Sequence, residues 1–229
     1  DIPVFHDDQH GTAIVVGAAL RNALELAGKE LKDSRIVISG AGAAGIATAN
    51  FLMNAGAENI IPLDSYGILR TDDENEYKAD LAQRTLASQE QGSLEDAMEN
   101  ADVFIGLSAP GIVSQEMVGS MAEKPIVFGL ANPEPEILPN KAKEAGAFIT
   151  ATGRSDFDNQ VNNSLAFPGI FRGVLDAKAT EINEKIKIAA SNVIKDFIEP
   201  EKSKIVPETL DQELAMEIAE AVRETAKKQ

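Results

Sequence analysis

Arg35-Ile36-Val37-Ile38-Ser39-Gly40-Ala41-Gly42-Ala43-Ala44-Gly45 runs from an apolar stretch straight into a G-x-G-x-x-G loop, and Ile46-Ala47-Thr48-Ala49 follows. The Asp33-Ser34 turn leads into a run suited to a strand buried on both faces. The Ala-rich stretch from Ala43 to Ala55, stopped at Gly56, suits a helix. The three glycines answer three separate needs. Gly40 permits the tight turn, Gly42 lets a pyrophosphate approach the backbone, and Gly45 allows the helix to pack closely on the strand. Phosphates would then lie on the backbone N–H groups of Ala43 and Ala44, at the positive end of the helix dipole.

A second apolar run, Asn59 to Leu63, ends at Asp64, 19 residues after Gly45. An acid there would accept hydrogen bonds from the adenosine ribose hydroxyls and repel the 2′-phosphate of NADP. Ser65 and Tyr66 follow it, and Arg70 is the nearest base along the chain, so the expected cofactor is NAD rather than NADP. A glycine turn followed by a surface acid is the structural alternative.

Outward from this unit the alternation continues. Helices are expected over Asp73 to Gln89, Ser93 to Glu99, Ser114 to Ala122 and Asn140 to Ala145, and strands over Asp102 to Leu107, Pro125 to Leu130 and Ala147 to Thr150. Upstream, His10 to Gly28 reads as a helix with Thr12 as its cap. From Pro168 onward the pattern is helical only: Gly169 to Ala179, Ile182 to Phe197 and Asp211 to Lys227, with Pro200 and Pro207 bracketing the last loop. The expected fold is α/β, a doubly wound parallel sheet of Rossmann type with a flanking N-terminal helix and C-terminal helices. It divides into an opening segment and linking helix (1–30), a dinucleotide-binding core (31–153) and a loop with terminal helices that pack on the core (154–229).

With no Trp and 5% aromatic residues, the core is expected to be aliphatic. Thirty-seven acidic against 21 basic residues give a net charge of −16, a field that repels nucleic acid and acidic lipid. A small anionic ligand would need local help from a helix N-terminus, an arginine or a bound cation. The absence of Cys excludes disulfides and thiolate chemistry. No apolar stretch approaches the ~20 residues that cross a bilayer, and no signal-peptide pattern opens the chain, so the expected compartment is the cytoplasm. The chain starts at Asp1 without Met, close to its most chemical-looking stretch, and is expected to be a fragment.

Two strand-end loops, Leu107-Ser108-Ala109-Pro110-Gly111 and Leu130-Ala131-Asn132-Pro133-Glu134-Pro135, fall where open α/β sheets bind ligands. Ser108 and Ala109 are therefore cofactor candidates, although Asn132-Pro133 could equally be a plain turn. His6-Asp7-Asp8-Gln9-His10-Gly11 offers carboxylates suited to Mg2+ or Mn2+. Adjacent residues rarely ligate one ion together, so one Asp would bind while the other assists. A dipole-complementing cap on the His10 helix is the alternative, and His6 and His10 read as packing or hydrogen-bonding residues. Asn159-Gln160-Val161-Asn162-Asn163 places amides beside an apolar stretch, where they would need partners such as a substrate carboxylate. An asparagine-rich turn fits the composition as well.

Together these segments resemble one family. Ile2-Pro3-Val4-Phe5-His6-Asp7-Asp8-Gln9-His10-Gly11-Thr12-Ala13, the Gly40 loop, Ala131-Asn132-Pro133-Glu134-Pro135-Glu136 and Thr152 to Arg172 closely resemble the nucleotide-binding half of bacterial malic enzymes. The resemblance runs over essentially the whole chain. It implies oxidation of malate with NAD or NADP, then decarboxylation of oxaloacetate to pyruvate and CO2. It makes Asp8 a divalent-metal ligand, Asp7 its catalytic assistant, and Asn132, Asn162 and Asn163 holders of substrate or nicotinamide. The metal would polarise the C2 ketone and stabilise the enolate. A Glu-Asp metal pair, a general-acid Tyr and a general-base Lys are expected in sequence preceding Asp1; Tyr66 and Tyr77, the only tyrosines, match no such motif. A homodimer is implied, and the isolated chain is expected to be inactive. Malolactic and oxaloacetate-decarboxylating relatives share this framework. The alternatives are another NAD-linked dehydrogenase of the amino-acid or folate type, which would not depend on a metal, and a nucleotide-binding fragment that catalyses nothing by itself.

Overall fold

The computed structural model describes residues 2–209 and 211–228; Asp1, Leu210 and Gln229, which belong to the expected first and last segments, lie outside the described residues. Arg35–Ser39 (β1), Asn59–Asp64 (β2), Gly67–Ile68 (β3), Val103–Gly106 (β4), Ile126–Gly129 (β5) and Ile149–Thr152 (β6) form one sheet in the order β3-β2-β1-β4-β5-β6. All pairs are parallel except β2–β3, and the register sets Val37 beside both Ile61 and Phe104. The strand order reverses between β1 and β4, so the loops beyond these two strands diverge and leave a crevice at the carboxyl edge. β3 departs from the expected all-parallel sheet. It is two residues long and follows β2 directly, too short to leave a periodic trace in the sequence.

The helices are Thr12–Ala27 (α1), Ala43–Asn54 (α2), Glu76–Gln83 (α3), Leu94–Met98 (α4), Gln115–Gly119 (α5), Pro139–Glu144 (α6), Phe167–Ala177 (α7), Glu184–Asp196 (α8) and Gln212–Lys227 (α9). Four expectations need correction. Thr12 is no cap: a π-helical turn over Asp7–Gly11 runs directly into α1, leaving Thr12 in helical geometry (φ −56°, ψ −49°) where a cap needs extended backbone. The helix expected over Asp73 to Gln89 is α3 plus a separate 3-10 turn at Leu86–Ser88. Asn75 caps α3 by accepting the Tyr77 and Lys78 N–H groups. The last strand begins at Ile149, two residues beyond the expected start. α7 begins at Phe167, with Pro168 in its first turn, where a missing N–H costs nothing.

The core is aliphatic over most of its extent, but Phe51, Phe104 and Phe128 are its largest fully buried side chains, against the expectation of a purely aliphatic interior. Gly17 on α1 makes room for one of them, since a Cβ there would strike the Phe51 ring. Burial of each such ring contributes about 1.5–3 kcal/mol. α7 and α9 pack as a pair because Gly169 and Gly173 bring the α7 backbone against Ile218, Ala219 and Val222. α8 joins this layer to α1: Ser191 donates to the Ile14 carbonyl at 2.8 Å, and Arg21 to Asn192 and Ser191 at 2.6 and 2.8 Å. Among the described residues no helix is long and apolar enough to cross a membrane.

Candidate functional site

The glycine loop has the geometry its sequence demands. Gly40 has φ +112°, and a Cβ there would meet the Leu107 carbonyl, so β1 can turn sharply beside the loop that leaves β4. At Gly45 a Cβ would run into the Gly40 carbonyl, and this glycine lets α2 close onto the loop. Gly42 is different: nothing lies within 4 Å of its Cβ position. It is the N-cap of α2, with extended backbone and no side-chain cap, so the first N–H groups of the helix face open space. That is the approach a pyrophosphate needs.

Across the crevice the β4 and β5 loops are held by a residue whose role the sequence did not disclose. Glu136 is fully buried, and its carboxylate accepts the N–H groups of Ser108 at 2.8 Å and Ala131 at 3.0 Å. Gly106 clears the space, since a Cβ there would strike Glu136. Beyond this clamp Asn132 is exposed and joined to Pro133 by a cis peptide bond. Glu136→Gln keeps the shape but replaces one acceptor oxygen with a donor, leaving a buried N–H unpaired. A loss of about 1–3 kcal/mol in urea unfolding is expected; an unchanged midpoint would mean that water reaches these amides.

The opening segment meets the asparagine pair from the far end of the chain. The Asn163 amide donates to Asp7 Oδ2 at 2.7 Å and to Asp8 Oδ1 at 3.3 Å, fixing both carboxylates from one point. Asp7 Oδ1 is buried against Gly11 and has no partner among the described residues. Burial pushes the Asp7 carboxyl above its usual range, the Asp8 charge adds to this, and His6 opposes it. Neither aspartate makes a side-chain capping hydrogen bond, but both lie in the first turn of the π-helical segment that runs into α1, where their charge complements the helix dipole as the alternative expected. Asn162 accepts the Ser164 N–H at 2.9 Å through Oδ1, which fixes the orientation of its amide. His10 is a hydrogen-bonding residue, as expected. Lys187, almost wholly buried on α8, donates to His10 Nδ1 at 3.1 Å and to Glu184 at 2.8 Å. An ammonium has no lone pair, so His10 carries its proton on Nε2. Burial first, and the Lys187 charge second, hold the His10 pKa below its usual value.

These parts enclose one cleft of about 370 Å3, lined by Asp8, Ala44, Ser108, Asn132, Asn162 and Asn163 among others. Six side chains singled out in the sequence thus meet at the crevice, although they are spread over 155 residues. Asp7 stands behind Asp8 and does not line the cleft, while Ala109 is exposed on the loop rim. Asp8 is the one titratable side chain among the described lining residues. Its oxygens suit a hard cation, but no group of three His, Cys, Asp or Glu that could hold a metal ion occurs among the described residues. The donors present fit part of a coordination shell.

Asp64 lies apart, in a second hollow of about 410 Å3 beyond β2. Its Oδ1 accepts the Tyr66 N–H at 2.8 Å, and its Oδ2 pairs with Lys78 Nζ at 2.5 Å. Along the sequence Arg70 is the nearest base, and no cation adjoins Asp64. The structure corrects this: α3 folds Lys78 back over β2, while Arg70 is engaged by Asp72 at 2.6 and 2.8 Å. A lysine 14 residues away gives no local signal in the sequence.

A profile described as the malic enzyme NAD binding domain matches residues 9–227. The chain belongs to this family. It is 49% identical to the bifunctional malic/malolactic enzyme of Bacillus subtilis over 99% of the chain, and 50% identical to the NADP-dependent malic enzyme of Halomonas elongata over 93%. It superposes on the crystal structure of the NAD-dependent malic enzyme of Thermotoga maritima with a TM-score of 0.94, 45% identity and 97% coverage. The match takes up 57%, 51% and 60% of those three proteins, so the chain spans little more than half of their length.

Proposed function

We propose that this chain is the dinucleotide-binding half of an enzyme that oxidises malate with NAD and decarboxylates the product to pyruvate and CO2. The observation that carries this is the single cleft joining Asp8, Asn132, Asn162 and Asn163 to the glycine loop through Ala44 and Ser108. The open N–H groups at the start of α2 would take the pyrophosphate, and Asp64 the adenosine ribose. Asn162 and Asn132 would hold the substrate carboxylate or the nicotinamide amide. Asp8 would offer a carboxylate to Mg2+ or Mn2+, with Asp7 and Asn163 fixing its orientation. The cation would supply Lewis-acid polarisation of the C2 oxygen, and NAD would accept the hydride. With Asp8 the one titratable group among the described lining residues, the proton-transfer groups would come from the part of the enzyme outside this chain.

The test is malate-dependent NAD reduction by the full-length protein with Mn2+, with product analysis. Pyruvate with stoichiometric NADH is expected. Lactate without net NADH would select a malolactic reaction, as the name of the Bacillus relative allows, and turnover without any divalent cation would remove the metal from the proposal. The 229-residue chain alone should show no malate oxidation above a no-enzyme control while still binding NADH.

A further inference from the structure

Lys187 is a buried ammonium that the proposed reaction does not use. Only 9% of its side chain is accessible, in the first turn of α8, where an unpaired charge would be costly. Two acceptors hold it. Glu184 Oε1 takes one N–H at 2.8 Å, and His10 Nδ1 takes another at 3.1 Å. Glu184 is itself fixed from a third direction, since the Asn54 amide at the end of α2 donates to its Oε2 at 3.1 Å. The ammonium therefore stands at a set place and presents a donor to one imidazole nitrogen. That imidazole belongs to the π-helical turn Asp7–Gly11, two residues beyond Asp8. Such turns are rare and occur frequently at functional sites, and this one is pinned from outside on two sides. On one side the Asn163 amide holds both Asp7 and Asp8. On the other, Lys187 holds His10, whose ring centroid also lies 5.6 Å from that of Phe5.

We propose that Lys187 is a positioning residue for the divalent cation: through His10 it fixes the turn that presents Asp8 to the cleft. Its role rests on the reading of Asp8 as a ligand of Mg2+ or Mn2+. Neither Lys187 nor His10 is among the described residues that line the cleft, so the ammonium acts only through the turn. Held by Asn163 alone, the turn could pivot about that contact and carry the Asp8 carboxylate with it. Mg2+ demands near-ideal octahedral geometry, and a ligand free to pivot serves it poorly. Outer partners that orient a metal ligand typically change metal affinity by about 10- to 100-fold when they are removed. Lys187 and His10 would exert that effect through one hydrogen bond, so their substitutions should be non-additive.

The experiment measures Mn2+ binding to the full-length protein by electron paramagnetic resonance, which counts free Mn2+ and needs no turnover. Lys187→Met keeps the apolar stem and removes the donor. It should raise the Mn2+ dissociation constant by roughly tenfold to a hundredfold, with NADH affinity and the urea midpoint near their starting values. The midpoint should hold because Glu184, 47% accessible, stays solvated when its partner is removed. Lys187→Gln serves as a second variant if Lys187→Met lowers the midpoint. His10→Asn keeps an acceptor close to the place of Nδ1 and should retain most of the affinity, whereas His10→Leu should match Lys187→Met. The His10→Leu, Lys187→Met double variant should bind Mn2+ no more weakly than either alone. Unchanged Mn2+ affinity in Lys187→Met, with Asp8→Asn weakened, would overturn the positioning role. So would equal weakening of Mn2+ and NADH by both Lys187 variants, which would make Lys187 a packing residue only. Unchanged affinity in Asp8→Asn as well would instead remove Asp8 as a ligand, and the role of Lys187 with it.

Discussion

Asp8→Asn in the full-length enzyme is expected to lower turnover at limiting Mn2+ by roughly a hundredfold to a thousandfold, with a raised Mn2+ requirement and NAD affinity near its original value. A bound divalent cation stabilises transition-state charge by several kcal/mol, and each 1.36 kcal/mol is a factor of about ten in rate. The substitution keeps the side chain's size and its place beside the Asn163 amide, so it removes charge without opening a gap. Asp8 faces the cleft, whereas the proposed pyrophosphate site is backbone at the start of α2; this is why NADH titration should change little. Steady-state turnover against Mn2+ concentration gives the answer. Normal turnover at limiting Mn2+ would make the Asp8 carboxylate a helix cap and leave Asp7 the better ligand candidate.

The parts of this site that could be read in the sequence are those encoded within a few residues. Strand β1, the glycine turn and helix α2 follow one another in twenty residues; Gly40 and Gly45 sit where a Cβ would strike backbone, and the space beside Gly42 is open. The carboxyl ends of β4 and β5 were legible for the same reason: a short apolar run followed by small residues and proline leaves little doubt where the strand stops. What escaped depends on distant contacts. Glu136 looked like one more acid in a polar loop until the fold buried it under the Ser108 and Ala131 amides. Lys78 reaches Asp64 because Asn75 starts α3 at the right place, and Lys187 reaches His10 across 177 residues. The Asp7–Gly11 turn escaped for another reason. Residues that suit a cap can also continue into a helix, and here the Asn163 contact to both aspartates accompanies that outcome.

Gly45→Ala and Gly42→Ala, compared side by side, separate packing from phosphate approach at the same loop. In a helix interior alanine is better than glycine by about 1 kcal/mol, so propensity alone would make Gly45→Ala stabilising. Against that, the new methyl would run into the Gly40 carbonyl, a backbone atom that cannot swing aside. Overpacking of this kind costs about 1–3 kcal/mol, and at so close an approach the clash should win. Gly45→Ala should therefore lower the urea midpoint. It should also weaken NADH by tenfold or more, since α2 must retreat from the turn that aims its N–H groups. Gly42→Ala has no such clash: its φ of −85° suits any residue, and its Cβ would stand in open space. Its midpoint should fall only slightly, by the roughly 0.5–1 kcal/mol that alanine costs relative to glycine at an N-cap, yet NADH should bind more weakly, because the methyl occupies the space through which a pyrophosphate reaches the backbone. Urea unfolding and NADH titration on both variants decide the matter. An unchanged midpoint for Gly45→Ala would mean that the loop relaxes easily. Unchanged NADH affinity for Gly42→Ala would place the phosphates away from α2, and with that the glycine loop would be a packing device only.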